Sequence, residues 1–292
     1  EVLLTQADLL YGEGKTPEAV ARYEAALAAA PADWSSYARA VEGLAIALVV
    51  DGDHARGAAL ARDALPNLTG ASAAVVATVG LDCAVGLPED HPEKAALVKQ
   101  FEAAVTAVLA DDMMNIADDD RSGMHISLLT AREAAGDSTG ARRAAEDWSA
   151  FLEKAAARAP TPEARTVFDS HRLSAFLELG QPERAIAHLE QSERDFPDDY
   201  NPPARLAVAY KAMERWDDAL AAADRAVERG YGPRLLSILG TRADILAAKG
   251  DTTAARATLT DALARGEAMP DGQRSDRRIA SLRAKLEGLE GS

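Results

Sequence analysis

The sequence predicts an all-α fold, an α-solenoid of about seven antiparallel helix hairpins closed by a C-terminal capping helix. Three observations predict it. The 292 residues include 65 alanines, while only 5% are aromatic. Alanine is the best helix former because it loses no side-chain entropy in the helix, and so few aromatics are thin filling for a sandwich or barrel core. The second observation is a spacing of small residues that returns six times. The third is proline and glycine punctuation at the ends of the segments so defined.

The spacing is read from the turn inside each hairpin to the residue five positions later. The pairs are Gly14 with Ala19, Gly52 with Gly57, Gly136 with Ala141, Gly180 with Ala185, Glu214 with Ala219 and Gly250 with Ala255. Seven residues before these turns stand Ala7, Ala45, Leu129, Leu173, Ala207 and Ala243, small in four cases and apolar in all. Packed helix axes lie about 8–10 Å apart, and small side chains permit the closest approach. These positions therefore mark where the two helices of a hairpin touch.

Helix boundaries follow from local chemistry. Thr16-Pro17-Glu18 and Gln181-Pro182-Glu183 put proline in the first turn, where its missing N–H costs nothing, and Asn201-Pro202 opens a helix in the same way. Pro31 and Pro197 stop second helices. The turns are 38, 84, 44, 34 and 36 residues apart, so the longest gap must hold another hairpin. Ala71 to Gly86 and Pro92 to Leu109 supply it, the latter with Leu97, Phe101, Val105 and Val108 on one face. Wider spacing, as around Trp148 to Ala159, means lengthened helices. After the seventh hairpin, Ile279, Leu282, Leu286 and Leu289 form one stripe with charges opposite, as an end-capping helix requires. The acid-rich stretch "DDMMNIADDDRSG" interrupts the helical period. The expected organisation is one superhelical domain over 1–292, kinked near 111–122, with three hairpins in 1–110 and four plus the cap in 122–292.

The repeating unit resembles the tetratricopeptide repeat, a helix-turn-helix of about 34 residues that stacks into a superhelix. The matching positions are Leu206, Ala207, Tyr210, Ala219, Ala223 and Ala226; Ala7, Leu10, Gly14, Ala19, Tyr23, Ala26 and Pro31; and Leu173, Phe176, Gly180, Ala185, Leu189 and Pro197. Glu214 departs from the usual turn glycine, and Ala223 fills a normally bulky position. A narrower resemblance is carried by "ADLLYGEGKTPEAVARYEAALAAAPADW", "ADDDRSGMHISLLTAREAAGD" and "ERDFPDDYNPPARLAVAYKAMERWDDAL". These stretches are similar to the C-terminal repeat region of bacterial thioredoxin-family proteins. That resemblance implies a thioredoxin-like domain N-terminal to this chain and a periplasmic or exported location. The competing expectation is a free-standing scaffold, cytoplasmic or exported, without redox connection.

The formal charge of -15 and pI near 4.8 oppose a nucleic-acid backbone or an anionic lipid surface. No apolar run reaches the roughly 18 residues of a membrane span. The start at Glu1 without a basic-plus-apolar leader reads as a processed or trimmed chain.

Chemical motifs are sparse. Asp118, Asp120, Ser122 and Gly123 have the spacing that opens a calcium loop, but Leu129 stands where the closing bidentate glutamate belongs. The stretch reads instead as a solvated connector that caps the next helix. Cys83 is the only cysteine, which rules out an internal disulfide or a CxxC pair, and it reads as a buried small hydrophobe. His54, His91, His125, His171 and His188 form no ligand pair, and Asn67-Leu68-Thr69 fits a glycosylation acceptor only formally. No nucleophile-base set can be named. The expectation is a non-catalytic chain with no cofactor and no metal, a helical enzyme using groove carboxylates being the remote alternative.

The expected partner is a protein or peptide. Counted along the first helix of each hairpin, positions 4, 7, 8 and 11 face the packing partners, which leaves 2, 5, 9 and 12 as a stripe on another face. The resemblance implies that this stripe lines a concave groove. It reads Val167, Ser170, Ser174 and Leu177; Asn201, Ala204, Val208 and Lys211; Ser237, Gly240, Asp244 and Ala247, with His171, Arg205 and Thr241 beside it. Small side chains give an open floor, Arg205 and Lys211 are donors, and Asp244 is an acceptor.

Overall fold

The computed structural model describes residues 1–31 and 33–290. Among them the regular structure is entirely helical. The first helices of the hairpins are α1 (Val2–Gly12), α3 (Tyr37–Asp51), α5 (Gly70–Gly86) and α7 (Asp118–Ala134). Their partners are α2 (Thr16–Ala28), α4 (His54–Ala64), α6 (Lys94–Leu109) and α8 (Ser138–Arg158). A short α9 (Pro162–Thr166) precedes α10 (Asp169–Glu178), whose partner begins as a 3-10 turn at Pro182–Ala185 and continues as α11 (Ile186–Asp195). Then follow α12 (Asn201–Ala212) with α13 (Trp216–Arg229), α14 (Gly232–Lys249) with α15 (Thr252–Glu267), and α16 (Asp276–Glu290). The helix expected from Pro92 starts two residues later, at Lys94.

Two compact units are present, 1–148 and 149–292, and the division falls inside α8. In the first unit each helix from α1 to α6 packs on the next, and the first helices α1, α3, α5 and α7 also touch one another in sequence. The second unit repeats this, with α12 touching α10 and α14 as well as its own partner α13. The acidic stretch from Asp111 lies within the first unit. Its carbonyls are gathered by Arg121, a buried guanidinium that donates to the oxygens of Asp111 (2.8 Å), Met114 (2.7 Å) and Val108 (3.4 Å). Asp118, Asp119 and Asp120 form the first turn of α7, where negative charge complements the helix dipole. The backbone there is helical from Asp118 onward, not wrapped as a cation loop.

All twelve positions of the small-residue spacing are buried, from Ala7 and Ala19 to Ala243 and Ala255. The turns between them are built alike. The landmark residue donates its N–H to the carbonyl three residues back, and the next residue donates to the carbonyl five back, as in Gly14 to Tyr11 and Lys15 to Leu10 (both 2.9 Å). This pair of bonds satisfies orphan carbonyls at the helix end and needs a left-handed residue at the turn. Gly14, Gly52, Gly136, Gly180 and Gly250 supply it with φ from 68° to 94°. Glu214 adopts the same conformation at φ 56°, the one non-glycine among the described residues to do so. The repeat geometry thus overrides the preference of this side chain.

The end of the second unit is covered by α16, which packs on both α15 and α14. Ile279 and Leu282 are buried, and Leu286 and Leu289 complete the stripe at its edge. The approach is close: a methyl on Gly266 would lie 3.1 Å from Ile279.

Candidate partner-binding groove

The residues of the expected groove come from consecutive first helices of the second unit, and α12 and α14 bring six of the fifteen together around one cavity. Asn201, Ala204, Arg205 and Val208 from α12 and Ser237, Ile238 and Thr241 from α14 line a cavity of about 190 Å³, floored by Ala207 and Ala223. Its walls are mostly apolar and short, because alanines at the helix crossings leave the space unfilled. Lys211 and Asp244 lie beyond this cavity and face each other, 3.8 Å apart. Asp244 is more closely held by Lys285 of α16, at 2.6 Å. Ser170, His171 and Ser174 lie on α10 and do not line the cavity. Val167, 55% exposed, precedes that helix, and Leu177 packs against the apolar core.

Arg205 is the chemically distinctive residue of this cavity. Burial pushes its pKa below the ordinary guanidinium value, while Asp169 and Asp199 oppose the shift. It makes no hydrogen bond or ion pair among the described residues, although arginine carries five donors and stays charged. Beneath it lies a polar group that the sequence reading did not single out. Asp169 is fully buried, with Arg172 Nη1 4.0 Å and His188 Nε2 3.9 Å from its Oδ1. Burial raises its pKa, against the pull of neighbouring Ser192 and of Arg205, Arg172 and Arg165. Burial drives His188 the other way, down to about 3. The signal was present in the sequence: Asp169 and Arg172 occupy positions 4 and 7 of a first helix, where apolar residues are expected.

A second cavity, about 500 Å³, opens between α14 and α16. Leu236, Ser237, Gly240 and Thr241 face Ser275, Arg277, Arg278, Ser281, Leu282 and Lys285 across it. It shares Ser237 and Thr241 with the first. The apolar stripe of α16 marks it as a cap, and its packing also makes it one wall of this cavity.

The other notable side chains belong to the first unit. Cys83 is fully buried, its Sγ against Gly57 where no Cβ could fit, and burial raises its pKa to about 12. A further cavity of about 270 Å³ is lined by His125, Arg132 and Asp147 among apolar groups, and burial lowers the His125 pKa to about 4. No helix among the described residues is long and apolar enough to cross a membrane.

Comparison with known proteins agrees with the architecture. Two tetratricopeptide repeat models match, one over 4–72 and one over 176–240. A tetratricopeptide repeat protein from Parabacteroides merdae ATCC 43184 is similar at 12% identity and TM-score 0.59, covering 99% of this chain and 98% of that one. The apo form of RapI is similar at 11% identity and TM-score 0.55, covering 99% of this chain and 81% of that one. At such identities the likeness concerns the fold alone. No curated protein matches in sequence. The chain carries tetratricopeptide repeats in both of its compact units, 4–72 in the first and 176–240 in the second.

Proposed function

We propose that the chain is a non-catalytic interaction module that holds a peptide or protein partner in the groove of its second unit. Arg205 is the observation that carries this reading. A half-buried guanidinium with no hydrogen bond or ion pair of its own among the described residues keeps its donors free beside an apolar cavity. An extended peptide laid along α12 and α14 would offer carbonyls or a carboxylate to its planar fork and a side chain to the cavity. Asn201, Ser237 and Thr241 line the same floor and would offer polar side chains to such a backbone. Ser170, His171 and Ser174 would extend contact towards α10.

The resemblance to thioredoxin-family proteins supports a narrower form of the reading, in which this is the repeat region of an exported thioredoxin-like protein. A thioredoxin-like segment with a CxxC encoded upstream of Glu1 supports that form, and a reading frame opening at Glu1 removes it. The groove itself is tested by a photo-cross-linking residue at Val208 compared with one at exposed Ala221 on α13. Cross-linking of a partner is expected from Val208 alone. Arg205→Ala with Lys211→Ala should then weaken that partner by at least about tenfold, the worth of a lost charge-assisted hydrogen bond. Binding unchanged within about twofold would move the site elsewhere, first to the hairpins around Asp8 and Tyr11.

A further inference from the structure

We propose that α16 is a working wall of the groove as well as its cap, and that the occupant is an internal acidic segment of a partner protein carrying one apolar side chain. This rests on the groove reading above and specifies its ligand. The placement of α16 comes first. Because α10, α12 and α14 touch in sequence and α16 touches α14 in turn, α16 occupies the place that the next first helix would hold. Its apolar stripe packs inward, and Arg277, Arg278, Ser281 and Lys285 beside that stripe join the face that α12 and α14 present.

Charge decides the chemistry. The two joined cavities are lined by four basic side chains, Arg205, Arg277, Arg278 and Lys285, of which Lys285 is paired with Asp244 at their edge, and by no carboxylate. In a chain where Asp and Glu outnumber Lys and Arg by 47 to 32, that is a local reversal of sign. Asp244 pairs with Lys285 and Lys211, and Asp169 and Asp199 act on Arg205 from outside the lining. Arg278 is fixed by the Pro233 carbonyl (2.9 Å) and the Ser237 hydroxyl, which leave its charge uncompensated. Arg277 is exposed and, among the described residues, has no ion pair. Screening over about 8 Å at physiological salt lets this patch act on a short ligand despite the chain's net charge. A nucleic-acid strand is too long to escape that repulsion.

Size argues for a peptide. The apolar cavity of about 190 Å³ suits one side chain, and the polar, basic cavity of about 500 Å³ beside it suits its charged neighbours. The neighbouring cavity continues from it through Ser237 and Thr241, so successive residues of an extended chain, about 3.3–3.6 Å each, pass from one to the other. Side-chain carboxylates then meet arginines and serine hydroxyls of α16.

The test uses fluorescein-labelled peptides with a central leucine flanked by aspartate and glutamate, against versions with asparagine and glutamine, with lysine, or with glycine for leucine. Anisotropy on the full chain should show the acidic leucine peptide binding at least about tenfold tighter than the amide and glycine versions, and more weakly as salt rises. Amidating its C-terminus should change nothing, since the contacts are to side chains. Arg277→Glu combined with Lys285→Gln, which spares the Arg278 tether, should weaken binding by at least about tenfold with the far-UV circular dichroism unchanged. Equal binding of acidic and amide peptides, no binding up to about 1 mM, or displacement by inorganic phosphate at that concentration would overturn the proposal. Loss in Arg205→Ala but not in the α16 variant would overturn it while leaving the groove reading standing. Acidic-peptide binding indifferent to both variants would remove both.

Discussion

The first helices of the two units carry polar side chains between neighbouring hairpins and use them differently. In the first unit, Asp8 accepts the Tyr23 hydroxyl (2.8 Å) and pairs with Arg39, while Glu1 accepts both the Trp34 indole N–H and the Ser36 hydroxyl at 2.8 Å. These groups are consumed by the contact between neighbouring hairpins. In the second unit, Arg205 stands on the same kind of surface without such a contact, and Arg277 beyond it likewise. One face is closed by its own hydrogen bonds, the other is left with unspent donors. A repeat fold sets where side chains point; whether they serve folding or recognition depends on the partner that the next hairpin offers.

The largest way to break this contrast is to remove residues 276–292. Ile279 and Leu282 leave their sites on α14 and α15, and each buried side chain of this size is worth about 1.5–3 kcal/mol. Hydrogen exchange in α14 and α15 should accelerate by orders of magnitude while α1 to α6 keep their protection. Unchanged exchange in α14 would show that α16 does not hold the end of the unit.

Acid sharpens the comparison. A histidine whose folded pKa lies below its unfolded value of about 6.5 contributes stability that is present above that pH and is lost as the pH falls towards the folded pKa. In the first unit His125 falls to about 4, its burial opposed by Asp147 and reinforced by Arg121. In the second unit His188 falls further, to about 3, but Asp169 beside it is shifted upward, and a raised carboxyl pKa relieves its cost as the pH drops. Between pH 6 and 4 His125 should cost the first unit roughly 2–3 kcal/mol, offset in part by Asp82, whose pKa burial raises, as Asp169 offsets His188 in the second. Urea denaturation followed unit by unit with hydrogen exchange reads the balance in each, and His125→Gln should flatten the dependence in the first unit only.

The smallest effect concerns the turn. Glu214→Gly relieves a left-handed residue that costs about 1–2 kcal/mol, offset in part by the freedom glycine gains when unfolded. A net gain of roughly 0.5–1 kcal/mol in the second unit is expected, and Gly180→Glu should cost about as much. A destabilised Glu214→Gly would mean that the glutamate side chain does more than tolerate its backbone.

What the sequence disclosed depended on the range of the interaction. Helix hairpins, their crossings at Ala7, Ala219 or Ala255, and even the shared turn geometry at Glu214 rest on spacings within some fifteen residues, so the chain displays them directly. That Asn201, Arg205 and Val208 line one cavity was legible for the same reason, since they share one helix face. The basic wall was not. That Arg277, Arg278 and Lys285 face Ser237 rather than open water follows from how α16 settles across α14, which only the packing of Ile279 and Leu282 determines. Asp169 was hidden differently: an acid at a core-facing position conflicts with the helical pattern, and pattern reading passes over a residue that the pattern does not expect.

The contact between Gly57 and Cys83 gives the first unit a built-in clock. With its sulfur sealed under a glycine and its thiolate disfavoured, the thiol meets a reagent only when α4 and α5 separate. Its rate of modification in native buffer therefore counts openings of that helix pair, not collisions at a surface. The same seal leaves the folded exterior free of competing thiols, so a cysteine placed at Val208 or Ala221 would carry a probe to one address.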